Sequence, residues 1–366
     1  MKMFRQIAVS ILILFFIVLG FSCTQTETNV YENEARYPKN IILFIGDGMG
    51  YQHIQAASYF ATGKSDNLSF SNFPCTAEVC TASASSSITD SAASGTAMAC
   101  GIKVENGVLG LRIPGDGAEV ETLLEYASGI GKSTGVVTTT YLTHATPASF
   151  SAHEPSRNNY NEIAADMLAD SRPDVMMGGG ENGLSVAAAA DAGYSTVSTA
   201  EELALHDDTL PVAGLFGTTH LPYEYDGTGS LPGLTDMVSK TLDMLSGFPD
   251  GFFLMVEGGR IDHAAHSNDL VRTVYETIEF SDAVELAVEW AGTAGDTLVV
   301  VTADHETGGL SIISDNGAGN LPEVVWSTTG HTGSNVPLYA TGPGAGRFSG
   351  TIENTRIHDV LLDLLQ

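Results

Sequence analysis

Five short apolar runs constrain this chain more than anything else in it. They are Asn40-Ile41-Ile42-Leu43-Phe44-Ile45, Gly135-Val136-Val137-Thr138-Thr139, Asp174-Val175-Met176-Met177, Gly251-Phe252-Phe253-Leu254-Met255-Val256 and Thr297-Leu298-Val299-Val300-Val301-Thr302. A strand that is apolar on successive residues, not on alternate ones, buries both faces, as in a parallel sheet with helices on either side. Helical patterns over Thr235 to Leu245, Arg272 to Trp290 and Ile357 to Leu365 supply the covering layers. The expected fold is therefore α/β, with a predominantly parallel central sheet flanked by helices on both faces. Pro337-Leu338-Tyr339-Ala340 reads as a last edge strand, and residues 183 to 232 as helix and loop excursions at the sheet edge.

The residues that follow these runs carry the chemistry. The first ends in Gly46-Asp47-Gly48-Met49-Gly50, the second leads into Thr143-His144-Ala145-Thr146-Pro147, the fourth into Glu257, and the fifth into Ala303-Asp304-His305-Glu306. Open α/β sheets bind ligands outside the carboxyl ends of their strands. Within Val256 to His266, V-E-G-G-R-I-D-H-A-A-H, Asp262 and His266 are four apart, so on a helical turn they share one face and can grip one ion. His331 follows in Thr329-Gly330-His331-Thr332-Gly333. Each site has a plain alternative: Asp47 as a helix cap, the cluster around Asp262 as ordinary ion pairs. Four strand ends repeating the pattern is improbable for independent accidents. Asp47, Asp262, His266, Asp304, His305 and His331 form a mixed nitrogen and oxygen set suited to zinc, while Glu257, Thr146 and Asp47 form an all-oxygen set suited to magnesium.

Two further residues bear on what such ions would do. Small residues follow Ser91 at helical density, which places Ser91 at a helix N-terminus, where free N–H groups favour an anion. The segment alone does not tell a nucleophile from a cap. Arg157 stands out because the chain has only 15 Lys plus Arg. Its planar fork matches phosphate in a two-toothed grip, and a surface ion pair is the alternative.

The net charge of −29, from 44 acids, argues against nucleic acid or an anionic membrane surface as partner. An acidic protein that holds an anion needs local cations or metals. At the N-terminus, Lys2 and Arg5 precede the apolar run Ile7 to Leu19 and Gly20-Phe21-Ser22-Cys23, the pattern of a secretory leader over residues 1–22. Cys23 resembles a lipoprotein acylation site, although Phe21 and the position of Leu19 depart from its usual form. A lipid-anchored product in the periplasm or at the outer membrane is expected, a soluble exported one being second. Residues 23–37 read as a polar tether and 38–366 as the catalytic domain. Of the other cysteines, Cys75 and Cys80 are spaced for a small-loop bridge and Cys100 for a buried thiol.

Taken jointly, G-D-G-M-G at 46–50, T-D-S-A-A-S at 89–94, H-A-T-P at 144–147, V-E-G-G-R-I-D-H-A-A-H at 256–266, A-D-H-E at 303–306 and G-H-T-G at 330–333 resemble the alkaline phosphatases, in family order. The resemblance implies Ser91 as nucleophile and Arg157 as phosphate clamp, oriented by Asp90. It implies one zinc on Asp262, His266 and His331, and a second on Asp47, Asp304, His305 and the Ser91 oxygen. A magnesium would lie on Asp47, Thr146 and Glu257. The substrates would be small-molecule phosphate monoesters with broad leaving groups. The enterobacterial enzyme has Asp where this chain has His144 and Lys where it has His263; histidine at both resembles vertebrate and some marine bacterial relatives. His144 is then expected one step removed from the metals, and His263 to reach phosphate through a water. Only the 25 residues 306 to 330 separate His305 from His331, where larger members insert a crown, so a monomer or a differently built homodimer is expected. A phosphodiesterase of the same superfamily and an exported metal-binding protein are the rival readings; the C/S-x-P-x-R frame of sulfatases is missing around Ser91.

Overall fold

A computed structural model describes residues 37–366; the leader over residues 1–22, the Cys23 anchor and all but the last residue of the tether lie outside the described residues. The runs Asn40–Gly46 (β1), Ser133–Tyr141 (β3), Val175–Gly179 (β4), Phe252–Gly258 (β7) and Thr297–Thr302 (β8) are strands buried along their whole length. They share one ten-stranded sheet with Cys75–Cys80 (β2), Ser195–Val197 (β5), Val212–Leu215 (β6), Val336–Thr341 (β13) and Gly350–Glu353 (β14), in the order β14-β2-β13-β8-β1-β7-β3-β4-β6-β5. All neighbours pair in parallel except those of β13, which runs antiparallel to both β2 and β8.

Helices Leu270–Ala294 and Leu234–Ser246 pack on each other and on β7. Helices Ser91–Cys100, Leu123–Gly129 and Thr355–Leu365 form a second packed group. This is the expected architecture, a large mostly parallel sheet between helical layers. Three local expectations are corrected. Val336–Thr341 is an inner strand, because β2 and β14 add on beyond it. Residues 183 to 232 include β5 and β6, which complete the opposite edge. Cys75 and Cys80 sit at opposite ends of extended β2 and do not bridge to one another; five residues at ~3.3 Å each hold them far beyond the Cα separation of about 4.4–6.8 Å that a disulfide spans. Cys100 is a buried thiol, as expected.

Between His305 and His331, Leu310–Ser314 (β10) and Glu323–Trp326 (β11) form a small hairpin, while Glu306–Thr307 (β9) pairs with His331–Thr332 (β12). Register does the positioning. Ile45 pairs with Glu257 on one side and with Thr302 on the other, and Glu257 pairs with Thr138. Asp47, Glu257, Asp304 and the chain leading to Thr146 therefore emerge at one end of four adjacent strands.

Candidate active site and metal centre

Asp47, Glu257, Asp304 and His305 have no exposed surface at all, and Asp262 has 4%. The side chains gather into three groups, Asp262 with His266 and His331, Asp47 with Asp304 and His305, and Asp47 with Glu257 and His144, the ligand atoms within each lying inside 4.8 Å. In the first, His266 Nε2 is 3.3 Å from Asp262 Oδ2 and 3.1 Å from His331 Nε2. His266 Nδ1 is 2.6 Å from the Thr329 carbonyl, and His331 Nδ1 is 2.9 Å from the Thr89 carbonyl. A carbonyl only accepts, so each Nδ1 carries the proton and, in the neutral rings, each Nε2 presents a lone pair. Two lone pairs and a carboxylate facing one point call for a cation.

The second group obeys the same logic. Thr307 Oγ1 donates its one proton to Asp262 Oδ1 at 2.5 Å and lies 3.3 Å from His305 Nδ1, so it accepts from that nitrogen. His305 Nε2 then offers a lone pair toward Asp304 Oδ2 at 3.2 Å and Asp47 Oδ1 at 3.5 Å. The His305 and His331 rings stack with centroids 3.6 Å apart, which places the first two groups side by side. In the third group, Glu257 Oε2 accepts from Thr138 and from Thr140 Oγ1, while Glu257 Oε1, His144 Nδ1 and Thr146 Oγ1 are buried without a partner. Both Asp47 carboxylate oxygens and Asp304 Oδ2 share that condition. Buried polar atoms left unpaired each cost about 1–3 kcal/mol, more for charged groups. Six of them, shared between the second and third groups, fit bound metal ions.

Electrostatics agree. Burial, then the nearby Asp304, Asp262 and Glu257 carboxylates, push Asp47 well above the usual carboxyl range. Burial chiefly lifts Glu257 to about 7 and Asp304 to about 6. Burial also tends to lift Asp262, but His266, itself raised to about 9 by that carboxylate and so a cation that donates from Nε2, and the other histidines around it hold Asp262 well below its ordinary value. Burial lowers His144 and His305 well below theirs, which suits neutral ligands.

Ser91 opens the wholly buried helix Ser91–Cys100, and its Oγ is 3.2 Å from His305 Nε2. Asp90 caps that helix through Ala93 N–H, accepts from Gly107 N–H and receives Arg157 Nη1 at 3.0 Å. Burial opposes the charge of Asp90, yet the Arg157 cation outweighs it and keeps the carboxyl below its usual value. Gly95 lets this helix approach the short helix Ala145–Ser149, since a Cβ there would stand 2.2 Å from Ser149 Oγ. Gly48, at φ +71°, passes beside Asp262, where a Cβ would stand 2.9 Å from Oδ1.

The alkaline phosphatase profile matches residues 38–322. The chain belongs to the alkaline phosphatase family. It is 33% identical to alkaline phosphatase 3 of Bacillus subtilis, across 90% of this chain and 89% of that one, and 31% identical to the Escherichia coli alkaline phosphatase, across 87% and 84%. The alkaline phosphatase of the Antarctic bacterium TAB5 superposes with a TM-score of 0.79 at 31% identity, covering 90% of this chain and 98% of that one. A cold-active alkaline phosphatase from Shewanella sp. does so with 0.82 at 32%, covering 89% and 100%.

As a member of this metal-dependent family the chain is a phosphatase. The profile stops short of His331, but the fold carries that residue back to Asp262 and His266. His144, expected one step removed from the metals, instead stands with Asp47 and Glu257, its ring nitrogen in reach of both. His263 packs against His144 with centroids 5.4 Å apart. Four contributors escape sequence reasoning. Thr138 and Thr307 hold ligands; Arg260 hydrogen-bonds His263; His220 stacks on Tyr141 and meets His263 at 4.4 Å. Thr138 signals itself as a polar residue in an apolar run, whereas His220 lies in a stretch without periodicity.

Proposed function

We propose that this phosphatase hydrolyses small-molecule phosphate monoesters through a phosphoserine on Ser91, with two zinc ions and one magnesium, outside the cytoplasm. The single observation that carries this is the Ser91 hydroxyl at the start of a buried helix, 3.2 Å from a histidine aligned with Asp47 and Asp304. Zinc suits the two groups that combine histidine with aspartate, Asp262-His266-His331 and Asp47-Asp304-His305. Magnesium suits Asp47, Thr146 and Glu257, with His144 the position that loosens its selectivity. Bound there, divalent ions neutralise the crowded carboxylates, lower the serine pKa and stabilise the leaving oxygen.

The chain's own groups do the rest. Asp90 takes one Arg157 N–H and aligns the guanidinium, whose other N–H groups grip two non-bridging oxygens. Ser91 attacks phosphorus in line, its proton leaving with the expelled alcohol; water then attacks the phosphoserine opposite the serine oxygen, breaking the P–Oγ bond to release phosphate and restore the serine hydroxyl, with net retention. Leaving-group specificity is broad because every named contact is to the phosphoryl group. The leader pattern in residues 1–22 supports export, with acylation at Cys23, which mass determination of the mature N-terminus decides. The short span from His305 to His331 supports a monomer or a compact homodimer, which light scattering distinguishes.

The decisive measurement is p-nitrophenyl phosphate turnover by the zinc- and magnesium-loaded protein, its Ser91→Ala variant and the chelated protein. Loss of at least about 10³-fold is expected in both arms, as for removal of a covalent nucleophile or of its activating charge. Chelator-insensitive turnover, or an active alanine variant, would sink the reading.

A further inference from the structure

His263 touches a residue that neither the metals nor the phosphate clamp involve. Arg260 Nη1 lies 2.8 Å from His263 Nδ1. A guanidinium has N–H groups and no acceptor, so in this contact Arg260 donates and His263 Nδ1 accepts. The proton of the neutral imidazole is then confined to Nε2.

Arg260 is itself held from several sides. It is the first residue of helix Arg260–His266, and its backbone N–H donates to Thr139 Oγ1 at 3.2 Å. Its guanidinium lies over the Tyr223 ring, 3.7 Å from the centroid, close enough for a cation–π contact. The turn that carries Tyr223 is strapped down in turn. Arg272 grips Asp226 through Nε at 2.9 Å and Nη2 at 2.8 Å, and Glu224 N–H donates to Glu276 Oε1 at 2.8 Å. Beyond His263, the His144 and His220 rings close the other side with centroids at 5.4 and 4.4 Å. Tyr223, Arg260 and His263 thus form a fixed relay from the Glu224–Asp226 turn to the edge of the third ligand group.

We propose that Arg260 is a positioning residue: held on Tyr223, it locks His263 in the Nε2–H tautomer, so that this ring serves the phosphate side as a neutral hydrogen-bond donor. The inference rests on the phosphomonoesterase reading for what His263 faces, but the tautomer follows from the geometry alone. Without the guanidinium the imidazole divides between both tautomers and both ring orientations, and part of the population turns a lone pair toward an anion.

The test uses the full metal-loaded chain labelled with ¹⁵N-histidine. Long-range ¹H–¹⁵N correlations report which nitrogen of His263 is protonated, its signals assigned by their loss in His263→Gln. The wild type should show the proton on Nε2. Arg260→Met, which keeps the stem and removes the donor, should show mixed tautomers. Its inhibition by inorganic phosphate should weaken roughly tenfold, the size of one hydrogen bond to a charged group. Tyr223→Leu, which removes the platform and leaves the donor, should move both readouts the same way by less. A wild-type ring protonated on Nδ1, or unchanged phosphate inhibition in Arg260→Met, overturns the proposal. Should that variant fail to fold, the wild-type spectrum and Tyr223→Leu still decide. Absence of wild-type turnover would instead bring down the functional reading, leaving the tautomer measurement to judge this one.

Discussion

Ser91, Asp90 and Arg157 show how much a single residue's surroundings decide. Asp90 performs three tasks at once: helix cap, acceptor for Gly107 N–H and aligner of the arginine. The cap that competes with the nucleophile reading in the sequence is therefore real, but it belongs to the neighbouring residue and leaves the serine hydroxyl to meet His305 Nε2 at 3.2 Å. Under the proposed function, exchange of His263 is expected to separate binding from release. Burial holds its ring at about 4, so it is neutral at working pH. His263→Lys would place a permanent cation beside the phosphate position. Inhibition by inorganic phosphate should tighten roughly tenfold, the worth of one added charge-assisted hydrogen bond, and kcat should fall as release slows. Equal inhibition constants for the two proteins would rule this out.

At the scale of elements, the strip from His153 to Arg157 is held as a unit. Glu154 exchanges backbone hydrogen bonds with Leu109, and Arg157 N–H donates to Gly107 O at 2.7 Å. His153 bolts the strip to helix Leu123–Gly129 through Glu125, 2.9 Å from its Nε2, and lies 3.1 Å from Gly110 O through Nδ1. Burial tends to lower the His153 pKa, but the Glu125 hydrogen bond and charge outweigh it and raise the group to about 9. A pKa raised by folding contributes stability that is whole below about 6.5, the unfolded value, and lost as pH rises through about 9. His153→Gln should therefore cost about 2 kcal/mol at pH 6 and progressively less toward pH 10, in chemical denaturation across that range. A penalty independent of pH would show that the ion pair is not its source. Near the same pH, loss of this bolt would also loosen the segment that ends in the arginine.

For the whole molecule, the active end stores negative charge that the fold alone does not neutralise. Glu257 is raised to about 7 from 4.5, chiefly by burial. A carboxyl raised by folding destabilises the native state as pH climbs from the unfolded value through the folded one, because the unfolded chain releases that proton first. In chelated protein, Glu257→Gln should therefore be more stable than wild type by on the order of 3 kcal/mol at pH 8, and equal to it near pH 4. With zinc and magnesium restored the sign should reverse, since the amide is the poorer ligand for a hard cation. Thermal melts with and without chelator give both comparisons, and a variant less stable in both states would refute the account.

Much of this was legible in advance, and for definite reasons. Asp47, Glu257, Asp304 and His305 follow apolar runs that can only be two-faced strands, so their place at the strand ends follows from pattern alone. Asp262 and His266 follow from helical spacing. Residues 183 to 232 were illegible because β5 and β6 are three and four residues long and lie at the edge, where burial imposes little pattern. Val336–Thr341 reads as an edge from the sequence because β2 and β14, short and mixed in polarity, give no warning that they add on outside it.

By itself the sequence determined the α/β class and the family and put forward most of the candidate ligands, since each depends on residue type and local spacing. The tertiary structure alone decided that His144 joins Asp47 and Glu257, that His331 returns across the chain to His266, and that Thr307 and Arg260 set which nitrogen of His305 and His263 holds the proton. Those are contacts between segments distant in the chain or between specific ring atoms. Hydrogen-bond direction at a histidine depends on which partner faces each nitrogen, and only the packed fold supplies that partner.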